Sequence, residues 1–171
     1  STVNYPATSA QPTIALTAPA TGATITVNTA ITVTAAPTAG TGATISQVQF
    51  LLGGTTIIGT VTAAPYSISW TPTTTGNVSL TARVLDSSGA SVTSSAVSAT
   101  VVAAPTVSLT TPANGSSGTV GSPVMVSASP TASPGASVSK VAFFVTPSGG
   151  AQSQIGADVV TPPYTVAWTP P

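Results

Sequence analysis

The sequence predicts an all-β chain of two tandem antiparallel β-sandwiches, the second incomplete, on three observations. Apolar residues alternate with hydroxyl residues at a period of two, Gly and Pro cut the alternation into short runs, and the whole pattern is written twice. A period of two puts successive side chains on opposite faces of a strand, so such alternation means one face buried and one wet. The repeat then sets the number of folding units.

The repetition is close to literal. Residues 12–19 read PTIALTAP and residues 105–112 read PTVSLTTP, while PYSISWTP at 65–72 returns as PYTVAWTP at 163–170. The offset is 93 positions from Pro12/Pro105 through Phe50/Phe143 and 98 at Tyr66/Tyr164. A five-residue insertion therefore lies around Thr146–Gly150, and its Pro, Ser and Gly suit a hairpin tip. The boundaries that follow are an N-terminal arm at 1–11, a first sandwich at 12–103 and a second at 104–171.

In order, the first unit reads as strands at 13–18, 25–35 with room for a break at Asn28, 45–52, 55–62, 66–70, 77–85 and 90–102. Ile31, Val33 and Ala35 oppose Thr32 and Thr34; Val48, Phe50 and Leu52 oppose Gln47, Gln49 and Leu51; Val78, Leu80, Ala82 and Val84 oppose Ser79, Thr81 and Arg83. Gly53-Gly54, Ala64-Pro65, Pro72–Gly76 and Asp86–Gly89 supply the breaks. Residues 105–171 repeat the first five strands and hold no counterpart of the last two. Val141, Phe143 and Val145 are accordingly expected beside an open strand edge and an uncovered core, a surface for strand completion. Later residues of a longer chain, a neighbour's strand or the arm 1–11 would fill the vacancy.

The aromatic residues test a binding role. In Tyr66-Ser67-Ile68-Ser69-Trp70 the rings and Ile68 share one face and both serines the other, which is the pattern of a core strand. Phe50, and in the second copy Phe143, Tyr164 and Trp168, are assigned to the core in the same way. Asn77-Val78-Ser79 and Asn114-Gly115-Ser116 fit the glycosylation acceptor pattern.

Composition narrows the function classes. The chain has no Cys, no His, two basic and two acidic residues in 171, leaving no set of groups for proton transfer, nucleophilic attack, metal ligation or cofactor binding. An enzyme, a metal site and a cofactor are not expected. Net charge is zero, which removes the electrostatic basis for holding nucleic acid. Every apolar run is interrupted well short of 18 residues, so direct membrane insertion is not expected either. Yet hydrophobic content is 42% and 56 residues are Ser or Thr, a composition that folds and stays wet through hydroxyls. Of the four charges, Asp86 opens Asp86-Ser87-Ser88-Gly89, where a carboxylate ordinarily accepts backbone N–H bonds.

The order P-T-[IV]-x-L-T-x-P-x-x-G, then Val48-Gln49-Phe50, then APYSISWTP and LTARVLDSSGA, resembles the bacterial Ig-like repeats of secreted adhesins, surface proteins and polysaccharide-degrading enzymes. The resemblance implies tandem immunoglobulin-like antiparallel β-sandwiches, an extracellular or cell-surface location and a structural or adhesive role, with no catalytic residues to carry over. This chain departs from such repeats in its scarcity of charge. Sandwiches normally guard exposed edges with Lys or Pro and keep net charge away from zero, so surfaces this bare are expected to meet copies of themselves, or further repeats, in a fibre or lattice. The competing reading is a carbohydrate-binding or spacer module of a secreted enzyme or adhesin, which would need an exposed row of aromatic rings.

Overall fold

The computed structural model describes residues 11–171, which divide into a first unit ending at Val102 and a second at Ala103–Pro171. The proposed arm, apart from Gln11, lies outside the described residues. Among the described residues both units have strands as their only regular elements.

The first unit contains β1 (Thr13–Ala18), β2 (Ala23–Thr26), β3 (Ile31–Thr38), β4 (Ile45–Leu52), β5 (Thr56–Val61), β6 (Ser67–Trp70), β7 (Gly76–Asp86), β8 (Ser91–Thr93) and β9 (Val97–Val102). One sheet runs β1-β3-β6; the other runs β2-β9-β7-β4-β5, with β8 on β7. Two of the seven expected strands are split, for identifiable reasons. At Asn28 the backbone turns left-handed, with φ 60°, a conformation that Asn tolerates better than most residues. Before that turn β2 pairs in parallel with β9 in the second sheet, while beyond it β3 lies antiparallel between β1 and β6. The second split falls at Ser94, whose hydroxyl accepts the Ala82 N–H at 3.0 Å while its own N–H donates to the Ala82 carbonyl at 2.8 Å.

β7 sits at the centre of its sheet, and its inward residues close the core. Leu80, Ala82 and Val84 pack with Val33, Ala35, Val48 and Phe50 in one buried cluster. The register sets Leu80 opposite Leu52, Ala82 opposite Phe50 and Val84 opposite Val48, so a small residue stands beside the largest one. Tyr66, Ile68 and Trp70 are half-buried against this cluster, and Trp70 also packs on a second one made of Ile25, Ala99 and Val101. Gly59 lets β5 come this close: a Cβ there would lie 2.8 Å from Ile68 Cγ2.

The second unit contains β10 (Thr106–Thr111), β11 (Val124–Thr131), β12 (Val141–Val145), β13 (Ser153–Val159) and β14 (Thr165–Trp168). They form one sheet, β10-β11-β14, and one pair, β12-β13. The β10–β11 register reproduces that of β1–β3 at the 93-residue offset, down to the irregularity between Leu109 and Thr111 that matches the one between Leu16 and Ala18. The insertion lies in the β12–β13 connection, as its composition suggested. One further element differs: Ser116–Thr119, at the position of β2, is not a strand. β2 is held by β9, of which the second unit has no equivalent among the described residues, and the Ile25 that packs on β9 is replaced there by Gly118.

The expectation of an uncovered core at Val141 and Phe143 needs correction. Both side chains are buried, in a cluster with Val126 that Tyr164, Val166 and Trp168 flank, because the facing sheet supplies their cover; Val145 is half-buried. Among the described residues, what lacks a partner is the backbone edge of β12, not these inward side chains.

Asp86 closes the end of β7 through three local bonds and one long-range bond. Its Oδ1 accepts from the Ser88 hydroxyl at 2.6 Å and from the Ser88 and Ala90 N–H groups, each at 3.0 Å, and its Oδ2 accepts from Gly40 N–H at 3.3 Å. The Ser88 hydroxyl, with the backbone N–H groups of Ala90, Gly40 and Ser88, holds the carboxyl below its ordinary value against the opposing effect of burial.

Two outcomes are expected. Trp70→Ala should destabilise the first unit by about 3 kcal/mol, the lower end for a large aromatic because the ring is only half-buried; chemical denaturation followed by far-UV circular dichroism checks this. A carboxyl whose folded pKa is lowered contributes stability above its unfolded value, near 3.9, and that stability is lost as pH falls through the folded value. Thermal unfolding should thus vary little between about pH 5 and 9 and weaken below about pH 4. Asp86→Asn should remove most of the acid dependence of the first unit, read as pH-dependent hydrogen exchange in β7.

Candidate functional site

The aromatic side chains do not form an exposed row. Phe50 and Phe143 are buried, and Tyr66, Trp70, Tyr164 and Trp168 are half-buried against the core of their own unit. Asn77 stands exposed at the start of β7, where its Oδ1 accepts the Thr100 hydroxyl at 3.1 Å; Asn114 is exposed in the turn that Ser116 N–H closes onto Ala113 carbonyl. Lys140 and Asp158 pair at 2.7 Å, and Gln154 donates to the other carboxylate oxygen at 2.9 Å. That arrangement, the Lys140 hydrogen bond first, lowers the Asp158 pKa. Arg83 donates to Gln49 across the outer face of β4 and β7. Among the described residues no three acidic, His or Cys side chains converge on one point.

Comparison of the two units exposes a different surface. In the first, the second edge of β4 is paired along its length by β7, from Ile45 opposite Asp86 to Leu52 opposite Leu80. In the second, β12 pairs with β13 on one side and with no described strand on the other. The consequences appear residue by residue. Leu51 on β4 is 6% exposed beside β7, whereas its counterpart Phe144 is 53% exposed. Ile14 and Leu16 of β1 are half-buried over the core that β7 completes, whereas Val107 and Leu109 of β10 are 63% and 65% exposed. A groove of about 400 Å³ opens between β10 and β12, walled by Val107, Pro130, Ala132, Val138, Val141 and Ala142.

This surface combines a free strand edge with apolar flanks, two features that natural proteins usually hide. Val141–Val145 contains no charge or Pro, and the single nearby cation, Lys140, is engaged with Asp158. Chemically the edge can do one thing: exchange main-chain hydrogen bonds with another extended segment while pockets beside it select side chains. The periodicity of the sequence pointed to this strand. It did not reveal Phe144, Val107 and Leu109 as the exposed members, because their exposure follows from which strand is missing rather than from their own pattern.

Known proteins accord with this architecture. The family model for the bacterial Ig domain matches residues 12–82 and again 105–171. Among solved structures, the fibronectin(III)-like modules of Clostridium thermocellum CbhA align with 92% of this chain and 78% of theirs, at 23% identity and a TM-score of 0.50, a likeness of fold. No curated protein sequence matches the chain. With two matches that together span most of its length, the chain belongs to the bacterial Ig domain family and carries that domain twice in tandem.

Proposed function

We propose that the chain is a non-catalytic structural segment of an extracellular bacterial protein, a repeat unit of a surface fibre, lattice or adhesin stalk that associates through uncharged sandwich surfaces. The observation that carries this reading is the pairing of two family-matching sandwiches in tandem with surfaces almost free of charge. Domains of the bacterial Ig and fibronectin(III)-like types are typically spacers in secreted or surface proteins and are generally non-catalytic. Antiparallel ladders bear load along their strands, and repeated hydroxyl faces offer the same contact at each repeat. The carbohydrate-binding alternative is weaker, because the rings it would need pack against the cores.

Immunogold labelling of intact producing cells with antibody to this chain tests the reading. Gold on the outer surface, aligned on fibres or sheets, is expected; gold only after permeabilisation would contradict it. Charge scarcity gives a second outcome. With Lys140–Asp158 as the one ion pair among the described residues, raising salt from low to about 1 M should leave association measured by light scattering nearly unchanged. Dissociation in moderate salt would require polar contacts of a different kind.

A further inference from the structure

We propose that Asn114-Gly115 is a self-modifying site, at which the Gly115 backbone nitrogen attacks the Asn114 side chain and converts its amide to a carboxylate without an enzyme. The reaction needs an Asn side chain free to swing toward the following nitrogen, a following residue with no side chain to block the approach, and a backbone able to leave its resting conformation. Residues 113–116 meet all three. They form a turn closed by Ser116 N–H on the Ala113 carbonyl at 3.1 Å, with Gly115 at φ 78° and every residue exposed. The Asn114 side chain makes no hydrogen bond to a described residue. A Cβ built on Gly115 would meet nothing within 4 Å, so the space beside its nitrogen is open.

The other described asparagines are restrained. Asn28 precedes Thr29, whose N–H donates to the Thr26 carbonyl at 3.2 Å. Asn77 and Val78 lie in the ladder between β7 and β9, and the Asn77 Oδ1 accepts the Thr100 hydroxyl at 3.1 Å. Thr29 and Val78 are both branched at Cβ, which crowds the nitrogen that would have to attack. The first repeat supplies an internal control. Thr21-Gly22 occupies the same turn, closed by Ala23 N–H on the Ala20 carbonyl at 3.1 Å with Gly22 at φ 81°, and a threonine has no amide to lose.

The chemistry balances with water alone. Once its proton has passed to solvent base, the Gly115 nitrogen forms a bond to Asn114 Cγ; the Cγ–Nδ2 bond breaks, and Nδ2 takes protons from solvent and leaves as ammonia. Water then opens the cyclic imide. Attack at Cγ restores the backbone and leaves Asp, whereas attack at the Asn114 main-chain carbonyl breaks the original peptide bond and leaves isoaspartate, with the chain running through Cγ. One water is consumed, one ammonia is released and nothing is oxidised or reduced. Two basic against two acidic side chains become two against three, so the net charge moves from 0 to −1. The new carboxylate is the first charge in a turn that otherwise has none. A glycan at Asn114, which the Ser116 pattern would direct, occupies the same Nδ2 and excludes the reaction.

The test incubates the whole chain in neutral and mildly alkaline buffer and follows it by peptide mass mapping. The fragment holding Asn114 should gain the mass of an amino-to-hydroxyl exchange, as a mixture of Asp and isoaspartate, and faster in the alkaline buffer because the nitrogen must lose its proton. Fragments holding Asn28 and Asn77 should stay unchanged over the same period. Gly115→Ala should lose the product; since Ala is strained at φ 78°, Asn114→Gln, whose longer side chain would have to close a larger ring, provides a second variant that leaves the turn glycine in place. Ser116→Ala, which destroys the glycosylation pattern, should leave the reaction unchanged. Asn28 or Asn77 reacting before Asn114 would overturn the proposal, as would Asp formed without isoaspartate, the mark of direct hydrolysis. An equal rate in Gly115→Ala, or a glycan on Asn114 in chain taken from its producing cells, would overturn it as well.

Discussion

The closure of the first unit along the edge of β4 depends on the pairing of β4 with β7. That contact sets Ala82 against Phe50, completes the layer that Val33 and Ala35 cover from the facing sheet, and gives β9 a strand to lie on. Through β9 it also holds β2, which pairs with no other strand among the described residues. The second unit shows the converse within the same polypeptide. Its sequence repeats the framework of the first five strands, but at the place of β2 it reads SSGT instead of ATIT, with Gly118 where the core has Ile25; that segment is not a strand, and Val120, the counterpart of the half-buried Val27, is left exposed.

What the second unit keeps is equally informative. Val126, Val141 and Phe143 remain buried because two sheets still face each other across them. Gly156, like Gly59, leaves room for the neighbouring strand, since a Cβ there would collide with Val166 Cγ2, the counterpart of Ile68; Gly156 also adopts a left-handed φ of 70°. The unit is therefore a core closed from one side and open along one edge. Val107, Leu109 and Phe144 mark that opening, and burying each to the extent seen in the first unit is worth about 1–2 kcal/mol. This is the scale of energy available to whatever strand occupies the site.

Much of this was legible in the residues, and the gaps have physical causes. Strands β1 and β4 were bounded to the residue by period-two alternation ending at Pro19 and Gly53. The break at Asn28 was visible, but the departure of β2 to the opposite sheet was not, because it depends on β9 some 70 residues later. The break at Ser94 escaped notice for a related reason: it arises from a side chain bonding to Ala82 on another strand. The role of Asp86 in a turn was readable locally, while its bond to Gly40 was not. For the candidate surface, the sequence identified β12 and missed its exposed members, since alternation says which residues share a face and not whether that face is covered.

The central claim is that the strand beside β4, rather than any property of the first five strands, separates the closed unit from the open one. Repeating residues 73–102 after Pro170, where Thr169-Pro170 matches Thr71-Pro72, would supply that strand in place, and the stability of the second unit could be read from hydrogen exchange across β10 to β14. The account predicts that protection rises toward that of the first unit, with Val107, Leu109 and Phe144 becoming covered. Unchanged protection, with Phe144 still exposed, would show that the first five strands reach their full stability unaided and would contradict it.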